Sequence, residues 1–203
     1  MHDIVSVLDR NRKLFAIVRE CSRDREYPVY IGGSLISYSI WESVFGIACA
    51  PDDIDLVFYD VNGDFRDEVL QDRVRDCTGL VVNAHNQACI HKIPKFSYRP
   101  PRTSLVDAVT HFCDTSATII ARLLDSGEYD VIAPYGYEDV FSGRIRTTFP
   151  EFDAEVRYRA RNKPWLWKWP QLRVYDSFGV DVTAQALSPR ILTLREKRLK
   201  ITK

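Results

Sequence analysis

Asp53 and Asp55 stand two residues apart in the run Asp52-Asp53-Ile54-Asp55-Leu56-Val57-Phe58-Tyr59-Asp60. The β-branched and aromatic content from Ile54 to Tyr59 predicts a strand. Side chains along a strand alternate between faces, so the two carboxylates project from one side while Ile54 points to the other. At the end of an apolar strand such a pair ionises at low cost only where a cation or water meets it. An all-oxygen donor pair suits Mg²⁺ or Mn²⁺ rather than zinc. Asp52 and Asp60 read as capping or solvent-facing residues.

A stretch further upstream can hold phosphate. Val29-Tyr30-Ile31 predicts a short apolar strand, and Ser34 to Phe45 a helix that stops at Gly46. Gly32 and Gly33 fall at the turn between them, where glycine lets backbone N–H groups come close to a ligand. The helix N-terminus that opens at Ser34 adds partial positive charge, which suits an anion. Gly32, Gly33 and Ser34 are therefore candidates to bind a nucleotide through its phosphates, and Asp53 and Asp55 to hold the metal. A phosphate turn followed by an acidic pair is the layout of nucleotidyl transfer.

Gly32-Gly33-Ser34 with Asp53-Ile54-Asp55 resembles the signature of the nucleotidyltransferase superfamily that includes DNA polymerase beta. The sequence is similar in particular to a bacterial branch of it, the nucleotidyltransferase-like family. Trp41, Gly46, Asn86-Gln87-Ala88, His91, Tyr98 and Arg122 carry that resemblance. So do Ala133-Pro134-Tyr135-Gly136-Tyr137-Glu138-Asp139-Val140-Phe141, Tyr158, Arg159, Lys163, Trp165 and Trp169-Pro170. The resemblance covers residues 29–172. It implies an α+β class, with a mixed β-sheet, palm-like core flanked by helices and a basic, Trp-rich C-terminal segment. It also implies Mg²⁺-dependent (or Mn²⁺-dependent) transfer of a nucleoside monophosphate from a nucleoside triphosphate, with release of pyrophosphate. The acceptor is left open among an RNA, a protein side chain and a small molecule.

One component of that chemistry has no obvious counterpart. The superfamily reaction usually draws on a third carboxylate from a neighbouring strand, yet Cys77 through Val106 contains no Asp or Glu. The resemblance places Asn86 near that position, and an amide can ligate a metal but is no base at neutral pH. His85 and His91 titrate in the range a base needs, and each reads alternatively as a hydrogen-bonded structural histidine. Asp139 either caps a short helix or lines the pocket. The catalytic set is thus Asp53, Asp55, His85 and Asn86. The alternative function is a catalytically incomplete nucleotide- or RNA-binding module of the same fold. A purely structural interaction protein leaves the paired aspartates unexplained.

The remaining elements have to position these residues. Residues 3–22 have a helical apolar face, with Asn11 placed to divide it in two. Gly79 to Ala88 predicts the next strand, and 104–124 a helix interrupted or recapped around Asp114-Thr115-Ser116. Tyr129 to Ala133 and the segment after Ser142-Gly143 predict two further strands. Lys92, Lys95, Arg99 and Arg102, interleaved with Phe96, Tyr98 and prolines, form a basic loop. It meets triphosphate or RNA, or is simply an exposed crossover. From Val156 to Tyr175 no acidic residue occurs, while Arg157, Arg159, Arg161, Lys163, Lys168 and Arg173 surround Trp165, Trp167 and Trp169. Those tryptophans either stack bases or cover the open edge of the core while the arginines neutralise the acidic site.

With 203 residues, 45% of them hydrophobic, the chain is expected to form one domain over 1–187 with a basic tail over 188–203. A formal net charge of zero means that any attraction for nucleic acid is local rather than global. Cys21, Cys49, Cys77, Cys89 and Cys113 form no CxxC spacing, so neither a zinc site nor a disulfide framework is signalled. No long apolar run or secretory signal is evident, and a soluble, cytoplasmic protein with no membrane partner is the expectation.

Overall fold

A computed structural model describes residues 3–51, 53–92 and 100–187. Helices α1 (Ile4–Asp9) and α2 (Arg12–Cys21) are split at Asn11, as the sequence suggests. Asn11 does not cap through its side chain; its amide donates to Ser39 Oγ at 2.9 Å and so ties the break to the next helix. Strand β1 (Tyr30–Gly32) leads into α3 (Ser34–Phe45), then β2 (Ile54–Phe58), α4 (Glu68–Thr78) and β3 (Val82–Asn86). After α5 (Leu105–Thr110) come β4 (Ile120–Leu123) and β5 (Tyr129–Ile132). The remainder comprises α6 (Glu138–Phe141), β6 (Arg144–Arg146), α7 (Asp153–Asn162), α8 (Trp165–Lys168), β7 (Arg173–Tyr175) and α9 (Thr183–Leu187).

The main sheet has five strands in the order β3-β2-β1-β4-β5, with β2 and β3 parallel and the other pairs antiparallel. It is a mixed sheet flanked by helices, the palm-like α+β core that the resemblance implies. Register sorts its side chains into two faces, because residues paired across strands lie on the same side. Tyr30 pairs with Val57 and Gly32 with Asp55, while Asp55 pairs with Asn83 and Val57 with His85. The opposite face carries Ile31, Ile54, Leu56, Phe58, Val82, Ala84, Ala121 and Leu123, all buried in the large core under the helices. The face with the carboxylates is covered more thinly, by a small cluster of Tyr30, Val57, Val109 and Ile120 with Leu105, Phe112 and Ile132 against it.

The expectation of helix over 104–124 is corrected. Only Leu105–Thr110 is helical, and Ile120–Leu123 is a strand between β1 and β5. Ile119, Ile120 and Ala121 are fully buried from both sides, so a β-branched run that fits one helix face is used in the sheet interior instead. Arg122 therefore projects from a strand, where it pairs with Asp130 at 2.9 Å and lies over the Tyr30 ring. Asp139 is neither a helix cap nor a lining residue: its carboxylate pairs with Arg146 at 2.8 Å and steadies α6 against β6.

The three tryptophans of the C-terminal segment have different fates. Trp165 and Trp169 are buried with Trp41 and Tyr38, at ring-centroid separations between 5.1 and 6.0 Å. Trp169 also donates Nε1–H to the Ile47 carbonyl at 2.9 Å. Trp167 is 71% exposed. Asp52, Lys95, Phe96, Tyr98, Arg99 and the basic tail lie outside the described residues. Among the described residues no helix is long and apolar enough to cross a membrane. Trp169→Ala is expected to cost about 3–5 kcal/mol of unfolding free energy through lost packing and an orphaned carbonyl. Trp167→Ala should stay within about 0.5 kcal/mol of wild type. Urea denaturation of the two variants, followed by circular dichroism, checks the contrast.

Candidate active site

The site forms where β1 ends and β2 carries its carboxylates. Gly33 adopts φ 67° and ψ −145° between strand and helix, a backbone region that is open essentially only to glycine. A Cβ at Gly33 would lie 2.2 Å from Asp55 Oδ2, so the carboxylate rests directly on the glycine backbone. Gly32 is constrained more mildly, by packing alone, since a Cβ there would lie 2.8 Å from Ile120 Cγ2. The glycine turn thus brings the start of α3 up to the Asp55 carboxylate. Ser34 Oγ, at that helix start, is buried with no hydrogen-bond partner among the described residues.

A cavity of about 200 Å³ opens over this point, and Gly33, Ser34, Ser37, Asp53, Asp55 and Lys163 are among its walls. A second cavity of about 270 Å³ shares Gly33, Asp55, Ala117 and Arg159 with the first. It adds a more apolar wall that includes Val57, Phe65, Phe112 and His85. Asp53 is oriented by Asn83, whose Nδ2 donates to its Oδ2 at 2.8 Å. Burial pushes the Asp55 carboxyl up to about 6, with a further push from the Asp53 charge; Arg159 and Lys163 pull it back.

Of the basic C-terminal segment, whose arginines the sequence offers as neutralising the acidic site, the structure brings Arg159 to the carboxylates; Lys163, also in the cavity wall, was not singled out for the site from sequence. Arg159 Nε lies 3.7 Å from Asp114 Oδ2, and its guanidinium stands 5.5 Å from the centre of the Trp165 ring. Asp114 is fully buried and accepts from Ser116 Oγ at 2.6 Å and from the Ala117 amide at 3.0 Å. One carboxylate therefore fixes both the turn that walls the site and the cation beside it. The acid-free run from Val156 to Tyr175 was the available signal for these cations. The fold brings them to Asp55 across more than a hundred residues of sequence, which spacing alone does not report.

The two residues expected to complete the chemistry separate. His85 lines the apolar cavity on the carboxylate face, with Nδ1 buried and without a hydrogen-bond partner among the described residues. Burial, assisted by the charge of Arg66, holds its pKa below the usual histidine value, against a smaller opposing pull from Asp53. Asn86 points to the opposite side of β3 and is fully buried. Its Oδ1 accepts from the Asp60 and Ala88 amides, and its Nδ2 donates to the Asp60 and Asp64 carbonyls, at 2.7–3.1 Å. Those bonds pin the turn after β2 and leave the amide out of both cavities. On β3 it is Asn83 that pairs in register with Asp55. His91 lines neither cavity.

Among the described residues no group of three or more His, Cys, Asp and Glu side chains is arranged to hold an ion. The residues present still fit a hard cation shared with a ligand: two oxygen donors, one of them desolvated against a like charge, with an unpartnered hydroxyl and cationic side chains beyond.

A mixed sheet with a glycine turn opposite an acidic pair defines a nucleotidyltransferase fold. The chain belongs to the nucleotidyltransferase family whose sequence profile matches residues 27–174. Among solved structures it is similar to a CCA-adding enzyme head domain determined by NMR, at 21% identity and a TM-score of 0.67 over 84% of this chain and 94% of that one. It is similar also to a CCA-adding enzyme in complex with CTP, at 14% identity and TM-score 0.58, over 87% of this chain and 44% of the other. The Thermotoga maritima CCA-adding enzyme complexed with tRNA matches at 14% identity and TM-score 0.59, over 100% of this chain and 47% of that one. The chain thus spans less than half of the latter two, and at these identities the likeness is one of fold. No curated protein matches the sequence.

The Asp55 shift has a defined consequence for the metal-free protein. Its folded pKa lies above the ordinary value of 3.8, so the folded state binds the proton more tightly, and stability falls as pH rises from about 4 through about 6. Asp55→Asn removes that loss. In chelator-treated protein it should be nearly neutral at pH 4 and stabilising by on the order of 2 kcal/mol at pH 7.5. Chemical denaturation at the two pH values measures the difference. Equal effects at both would show that Asp55 ionises without hindrance.

Proposed function

We propose that the protein is a cytoplasmic, divalent-cation-dependent nucleotidyltransferase that moves a nucleoside monophosphate from a nucleoside triphosphate to an acceptor hydroxyl, releasing pyrophosphate. The contact between the Gly33 backbone and the Asp55 carboxylate carries this reading, because it sets a phosphate-binding turn against a metal-binding donor. Asp53 and Asp55 would hold Mg²⁺ or Mn²⁺, which when bound supplies charge neutralisation and orientation for the phosphates. The backbone at Gly33, the Ser34 hydroxyl and the N-terminus of α3 bind the triphosphate oxygens. Lys163 and Arg159 neutralise the charge that grows on the departing pyrophosphate, in a small cavity where such charges act strongly.

His85, neutral near pH 7 given its lowered pKa, accepts the proton of the acceptor hydroxyl at a ring nitrogen. The acceptor oxygen then bonds to the α-phosphorus as the bridge to the β-phosphate breaks. The rate arises mainly from positioning and charge complementarity. RNA, a protein side chain and a small molecule all remain candidate acceptors by chemistry. The RNA reading draws support from the tRNA complex formed by one protein of the same fold.

The amide of Asn83 beside Asp53, where a third carboxylate would serve the reaction, favours a second reading as a nucleotide-binding module without turnover. Incubation with labelled nucleoside triphosphates, Mg²⁺ and cell extract separates the two. Label transfer should fall by at least about 10²-fold in Asp53→Asn/Asp55→Asn and in His85→Gln, with triphosphate binding retained in the histidine variant. Binding without transfer in wild type would favour the module. Binding indifferent to metal and to the aspartate variants would sink both readings.

A further inference from the structure

Cys21 and Cys77 bring their sulfurs to 4.0 Å although they stand 56 residues apart in sequence. Cys21 closes α2 and Cys77 lies one residue before the end of α4. Cys77 is exposed and Cys21 half-buried. Arg73, one turn earlier on α4, holds the two helix ends together. Its Nη1 donates to the Cys21 carbonyl at 3.4 Å and to both Asp24 carboxylate oxygens at 2.8 Å. The other three cysteines are engaged differently, Cys49 with the neighbouring Ala50 carbonyl at 3.8 Å. Cys89 donates to the Gly63 carbonyl at 3.3 Å and Cys113 to Asp114 at 3.4 Å, both in the interior.

We propose that Cys21 and Cys77 form a reversible dithiol–disulfide site that reacts with low-molecular-weight disulfides of the glutathione type. A disulfide bond is about 2.05 Å long, so two sulfurs already in van der Waals contact close it by side-chain rotation and a small shift of two helix ends. The order of events follows from exposure. The accessible Cys77 thiolate attacks one sulfur of the external disulfide, forming a mixed disulfide and expelling one thiolate. Cys21 then loses its proton and attacks the Cys77 sulfur, expelling the second thiolate. The protein dithiol is oxidised by two electrons and the external disulfide is reduced to two thiols. Burial, and contact with Cys77, push the Cys21 thiol pKa up, which fits the role of the second, resolving thiol.

The product encloses a long loop. Between the two cysteines lie β1, the glycine turn, α3 and β2, hence Gly32, Gly33, Asp53 and Asp55. Cross-linking a loop of that length restricts the unfolded chain and leaves the folded site in place. The site does not depend on the nucleotidyl-transfer reading.

The test treats the reduced full chain with oxidised glutathione, followed by intact-mass measurement and non-reducing peptide mapping. Wild type should lose two hydrogens, yield a Cys21–Cys77 peptide pair and melt about 5–10 °C higher, with dithiothreitol reversing all three. Cys21→Ser should instead stop at a stable glutathione adduct on Cys77, and Cys77→Ser should take up neither. Circular dichroism verifies that both variants are folded. A wild-type protein that accumulates the Cys77 adduct without cross-linking, or that pairs other cysteines, would overturn the proposal.

Discussion

The rest of the site depends on the absence of a side chain at Gly33. The register of β1 against β2 places Gly32 opposite Asp55, and the next residue must then turn into a helix in the space that the carboxylate occupies. Even a methyl group would meet Asp55 Oδ2 at 2.2 Å. What results is an anion held partly out of water against the positive end of a helix, with a second carboxylate two residues away. Such a group is costly to ionise by itself, and its raised pKa is the measure of that cost. Arg159 and Lys163 offset part of it. Charges of both signs are thus gathered round one small cavity.

The sheet makes this affordable by dividing its faces. The side packed on α1–α4 is apolar except for Asn86 at the end of β3, with the Trp41, Trp165 and Trp169 cluster extending it towards the C-terminal segment. The opposite side carries Asp53, Asp55, Asn83 and His85 and is only partly covered, by the small cluster around Val57 and Ile120. Stability is concentrated on one surface, which leaves the other free to hold polar groups that would be intolerable in a core.

Much of this was legible in the sequence where the controlling contacts are local. Strand alternation put both aspartates on one face, and the pair of glycines before a helical run marked the turn. The misread elements are those that long-range packing decides. Ile119-Ile120-Ala121 fits a helix stripe as well as a strand, and only its place between β1 and β5 settles the matter. Asn86 and Asn83 are three residues apart, so a small uncertainty in strand register exchanges a residue that pins a turn for one that orients Asp53. Arg159 stood in a basic run whose arginines could neutralise the acidic site, yet nothing local singles it out from Arg157 or Arg161 as the one that reaches Asp55. The buried Asp114, which fixes Arg159 and the Ser116–Ala117 turn together, looked from sequence like an ordinary helix interruption.

The order in which the sheet is threaded has a further consequence. The middle strand is one of the earliest made, but its second neighbour, β4, begins at Ile120, and the cations that balance the acidic pair come from Arg159 and Lys163. During synthesis on the ribosome the glycine turn and both carboxylates therefore emerge long before the groups that complete their surroundings. The pocket's full set of walls is available for folding only once translation has passed Trp165 at the start of α8.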